Sequence, residues 1–158
     1  WFLGFIKRML LKKRHFDAAL ERSCNMVTKT KECPQTCVED LFCGVNTVSD
    51  IEQASDLEKK HLPLITAPKK VKKGDYFEVT VDVGKLLKHP MEPGHFIQFV
   101  ELYAGDTYLA RMDFTARTTC PIMKVCVCLD HDYGKLRAFE RCNLHGSWES
   151  DTDIQVVE

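Results

Sequence analysis

The stretch "CNLHG" sets Cys142 and His145 three residues apart with Gly146 behind them, so a thiol and an imidazole can reach one metal ion from a single turn. "HPMEPGH" places His89 and His95 on either side of a turn framed by Pro90 and Pro93, and "KKHLP" adds His61. Each histidine alone reads as an ordinary structural or surface residue. Taken together, four imidazoles and one thiol point to a metal site. The two prolines stiffen the turn between His89 and His95, while Gly94 and Gly146 let the backbone reverse. Trp148 is expected to pack near the site. His131, in "DHDYG", has no motif partner and is expected to face solvent.

Four further thiols, Cys24, Cys33, Cys37 and Cys43, lie in a stretch with little periodicity, separated by eight, three and five residues. They could hold an iron–sulfur cluster, a structural zinc ion, disulfides or nothing, and the spacing does not match paired Cys-x-x-Cys knots. Cys120, Cys126 and Cys128 fall within strand patterns and are expected to be buried as small hydrophobes.

The elements that must position these groups are mostly short strands. In "DYFEVTVDVG", Phe77, Val79, Val81 and Val83 alternate with Glu78, Thr80 and Asp82, the period of a strand with one buried face. Two strands joined at Ala104-Gly105-Asp106 follow, then two more joined across Asp130 to Gly134. With "HLPLITAP" before and "DIQVVE" after, about seven strands recur at sandwich-like intervals. The fold class is mainly β, a sandwich or small barrel. It carries a small helical, cysteine-rich N-terminal extension, dividing the chain into 1–52 and 53–158. In the extension, Phe2, Phe5, Ile6, Met9 and Leu10 recur at helical spacing among basic residues, as in a helix packing on protein or lying on a membrane surface.

Composition sets outer limits. Residues 1–31 hold eight Lys/Arg against two Asp/Glu, and the remainder holds fourteen against twenty-one. An acidic body argues against nucleic acid as partner. The basic helical stretch is too short and too charged to span a bilayer and lacks a signal-peptide cleavage site, so the reading is a cytoplasmic protein with reduced, metal-binding cysteines and no transmembrane segment.

"KKHLPLI", "HPMEPGHFIQFVELYAGD" and "CNLHGSW" occur in the order and separation of the superoxide reductases, and the chain closely resembles that family, the neelaredoxins and the catalytic domain of desulfoferrodoxins, from about residue 57 to 150. The resemblance implies an immunoglobulin-like β-sandwich holding one non-haem iron. It implies His61, His89, His95 and His145 in the equatorial plane, Cys142 as axial thiolate, and Lys60 as the catalytic lysine. The implied reaction is one-electron reduction of superoxide to hydrogen peroxide, with electrons from a rubredoxin-like or other small donor protein, in a homo-oligomer of two or four chains. Members carrying a 4Fe–4S cluster exist, which makes Cys24, Cys33, Cys37 and Cys43 candidate ligands for such a relay.

The sequence departs from the pattern at one place. Glu-Lys-His is usual before the first ligand, and here Lys59 stands where the glutamate would be, with Glu58 one residue earlier. A displaced carboxylate in an extended segment would point to the other face, which favours an open or water-filled resting position. Two rival classes share these residues: a non-catalytic iron-binding electron-transfer module, and a structural sandwich with a zinc-binding N-terminal segment.

Overall fold

The computed structural model describes residues 41–158, all within a unit spanning Cys37–Glu158. The N-terminal helical stretch and Cys24, Cys33 and Cys37 lie outside the described residues. Ten strands and one short helix follow in the order β1 (Val45–Thr47), α1 (Asp56–His61), β2 (Pro63–Thr66), β3 (Lys70–Lys72), β4 (Tyr76–Val83), β5 (Ile97–Ala104), β6 (Thr107–Asp113), β7 (Ile122–Cys128), β8 (Lys135–Cys142), β9 (Gly146–Asp153) and β10 (Gln155–Val157). Seven strands have four residues or more.

They form a five-stranded sheet in the order β1-β9-β8-β5-β6, a three-stranded sheet β2-β4-β7, and a parallel pair of β10 with β3. The two larger sheets supply the core from their inward rows: Val79, Val81 and Val83 from β4, Val100, Leu102 and Ala104 from β5, and Leu136 and Ala138 from β8. The inward row of β8 ends in Cys142, so strand parity carries its sulfur beneath the end of the sheet. A register shift in β5 between Ile97 and Phe99 turns both Ile97 and Val100 inward and sets Ile97 against Cys142.

Three local readings differ from expectation. Residues 56–61 are helical and not extended, because Ser55 and Glu58 form a capping box: Ser55 Oγ accepts from the Glu58 amide, and Glu58 Oε2 accepts from the Ser55 amide at 2.7 Å. His61 therefore closes a helix instead of opening a strand. Strand β9, "GSWESDTD", has a polar composition that hid it; it forms as the return arm of a hairpin with β8, from Cys142↔Gly146 to Lys135↔Asp153. Cys120, Cys126 and Cys128 are exposed, against the expectation that they are buried. On β7 the inward positions are taken by Met123 and Val127, so Lys124, Cys126 and Cys128 share the solvent face.

Candidate metal centre

Each candidate side chain arrives from a different element end. His61 is the last residue of α1, and its Nδ1 lies 2.6 Å from the Leu57 carbonyl one turn back. His89 sits in the turn after β4, where Gly84, at φ +92, folds so closely that a β-carbon there would lie 2.6 Å from the His89 amide nitrogen. The His89 Nδ1 is 2.5 Å from the Pro90 carbonyl. A carbonyl only accepts, so in both rings Nδ1 carries the proton and Nε2 presents a lone pair.

Those lone pairs converge. His61 Nε2 is 3.1 Å from His89 Nε2 and 3.1 Å from His145 Nδ1. The four rings form a cycle, His61–His89–His95–His145, with neighbouring centroids 4.5 to 4.8 Å apart and neighbouring planes crossed at 73° to 85°. The opposite pair His61 and His95 is nearly parallel, at 23° and 5.8 Å. Cys142 Sγ lies 3.7 Å from His89 Nε2 and 4.0 Å from His145 Nδ1. The ligand atoms of His61, His89, His95 and Cys142 all fall within 4.8 Å of one another, and no other such group occurs among the described residues. His145 joins the set through its contacts with His61 and Cys142.

The donor set fits a metal ion on the structure's own terms. Two unprotonated nitrogens 3.1 Å apart repel unless a cation lies between them, and imidazoles bound about 2.1 Å from one ion at right angles stand about 3 Å apart. His95 Nε2 is buried with no hydrogen-bond partner among the described residues. Burial is the main cause that pushes His61 down to about 4 and His89 to about 3, and it lowers His95 and His145 as well. The rings are neutral at physiological pH, the form that binds metal. Burial pushes the Cys142 thiol up, opposed by the Leu144 and His145 amides that point at its sulfur. Four imidazoles, one thiolate and no carboxylate suit iron better than calcium or magnesium.

The surroundings fix these groups. Trp148 is buried, stacks on His61 at 5.2 Å, and donates its indole N–H to the His145 carbonyl at 2.9 Å, as a packing residue should. Asn143 ties the hairpin to the His95 turn: its Oδ1 accepts from the Phe96 amide and its Nδ2 donates to the Gly94 carbonyl. Its place inside "CNLHG" was the available signal for that role. Lys60 lowers the proton affinity of His61, His95 and His145. Glu58 is held in the capping box, where its Oε2 accepts from the Ser55 amide and hydroxyl. His131 is exposed beside Asp130. Of the N-terminal cysteines only Cys43 is described; it is half-buried in the turn before β1.

The Desulfoferrodoxin family profile matches residues 53–151. The chain belongs to the desulfoferrodoxin family. A protein of Methanocaldococcus jannaschii is 44% identical to it over 115 residues, which cover 72% of this chain and 95% of that protein. A superoxide reductase of Pyrococcus horikoshii is 33% identical over 106 residues, 61% of this chain and 89% of its own length. Among solved structures, the superoxide reductase (neelaredoxin) of Ignicoccus hospitalis is 34% identical, with a TM-score of 0.63 over 72% of this chain and 95% of that one. Within this desulfoferrodoxin family member, the match begins at residue 53 and so takes in α1, β2 to β8 and most of β9. No helix among the described residues is long and apolar enough to cross a membrane.

Proposed function

We propose that this chain is a superoxide reductase, with His61, His89, His95, His145 and Cys142 as ligands of a mononuclear iron and Lys60 as the catalytic lysine. The reading is carried by the crossed cycle of four neutral imidazoles gathered over one buried thiol. Iron held there supplies a one-electron couple, and superoxide with one electron and two protons becomes hydrogen peroxide. The imidazoles are neutral donors, so Cys142 brings the only negative charge of the set and favours the ferric product. Lys60, half-buried on the last turn of α1, places a cation beside the rings, where it attracts an anionic substrate and helps deliver a proton. Glu58 satisfies the helix N-terminus, which leaves the approach to the rings without a tethered carboxylate.

The finer parts of the proposal are an electron-donor protein of the rubredoxin kind, a homo-oligomeric assembly, a cytoplasmic location, and a 4Fe–4S cluster on Cys24, Cys33, Cys37 and Cys43. Four cysteines within one twenty-residue stretch support the cluster, which requires that Cys43, disulfide-bonded in this structure, be reduced.

Metal and acid-labile sulfide analysis of anaerobically purified protein tests both centres: one iron without sulfide supports the mononuclear site alone, and about four further irons with matching sulfide support the cluster. Colourless protein with stoichiometric zinc sinks the proposal. Lys60→Met should retain iron and lower the second-order rate with superoxide about tenfold, with a weaker salt dependence than the parent. An unchanged rate and salt slope would remove Lys60 from the mechanism.

A further inference from the structure

The strand that precedes the family-matched region lies against the hairpin that carries two of the proposed ligands. β1 runs parallel to β9, with Val45 opposite Ser147 and Asn46 opposite Trp148. Gly146, at φ +79, closes the β8–β9 hairpin, and a β-carbon built on it would sit 1.8 Å from the Leu41 carbonyl oxygen. Backbone therefore fills the space that a side chain would take. Asn46 holds the contact: its Nδ2 donates to the Leu41 carbonyl at 2.9 Å and to the Ser147 carbonyl at 2.9 Å. An amide nitrogen has two hydrogens, and both are engaged. Beside it, the Arg141 guanidinium lies over the Phe42 ring at 4.9 Å and donates to Ser147 Oγ.

We infer that Asn46 is a positioning residue of the metal centre and that residues 41–47 form a strap setting the placement of Cys142 and His145. The inference rests on the proposed ligand set. One residue, Gly146, separates the strapped Ser147 from His145, and the amides of Leu144 and His145 hold the Cys142 sulfur. On its other side the same hairpin is fixed by Asn143 to Gly94 and Phe96. Of the two clamps, the Asn143 one lies within the family-matched residues and the Asn46 one is added by the preceding segment. Ligands need support of this kind to keep a productive geometry, and losing an outer partner typically costs 10- to 100-fold in metal affinity or activity. The strap also joins the cysteine-bearing segment to the iron ligands, since Cys43 lies between Leu41 and Asn46.

Full-length Asn46→Asp is the sharpest test, because it keeps the shape and replaces both donors with an oxygen facing two carbonyls. Two readouts are followed: the thiolate-to-iron absorption band of the oxidised protein and the rate of iron transfer to a chelator. The variant should shift or broaden the band and release iron about tenfold faster than the parent, with Asn46→Ser in between. If Asn46→Asp does not fold, Asn46→Ser decides by the same readouts. Folded variants with the parent's band and release rate would overturn the strap, whatever their thermal stability. A parent that shows no such band overturns the ligand assignment instead.

Discussion

Two side chains hold buried polar atoms with no hydrogen-bond partner among the described residues: His95, half-buried, at Nε2, and Glu140, fully buried, at both carboxyl oxygens. They lie in one hydrophobic sandwich and mean different things. His95 Nε2 belongs to a ring that meets two other imidazoles at 4.5 Å, in a set that shares a buried thiol. Glu140 is on the inward row of β8 between Ala138 and Cys142, in register with Val100 on one side and Trp148 on the other. Its burial pushes the carboxyl well above its ordinary range. An orphaned polar atom marks a ligand site where other donors converge on the same point. Where the neighbours are apolar, it marks a desolvation penalty.

The largest expected effect separates the two directly. His95→Ala should empty the metal site, with iron affinity lowered at least about 100-fold, the upper end of what losing a mere outer partner does. Iron retained at the parent's stoichiometry would show that the unpartnered nitrogen is not a ligand. Glu140→Leu should act in the opposite sense on another quantity, raising stability to denaturant by about 1–3 kcal/mol at unchanged iron content. A loss of stability would show that the carboxyl is satisfied in the folded protein. The smallest effect sharpens the contrast between buried and exposed thiols. Alkylating the folded protein should modify Cys120, Cys126 and Cys128 while Cys142 resists, with stability changed by less than about 0.5 kcal/mol. Peptide mass analysis reads both, and early labelling of Cys142 would contradict its burial.

The convergence of the candidate residues was legible because they cluster in three short motifs whose residue types have few other uses together. Strands β4 to β8 were legible from alternation. What escaped depended on tertiary context or on local signals passed over. Ser55 and Glu58 spell a capping box that announces α1, and Lys124 shares its strand parity with Cys126 and Cys128, a sign that this face is wet. β9 has no such sign: Gly-Ser-Trp-Glu-Ser-Asp-Thr-Asp becomes a central strand because β8 and β1 pair with it on either side. Asn46 was equally silent, since its role exists only once Leu41 and Gly146 meet.

The carbonyls of Leu57 and Pro90 settle, at the moment of folding, which nitrogen of His61 and His89 carries hydrogen. With all four rings neutral, and only the Cys142 sulfur held above its ordinary titration range, charging this centre with metal is an exchange of one cation for a single proton.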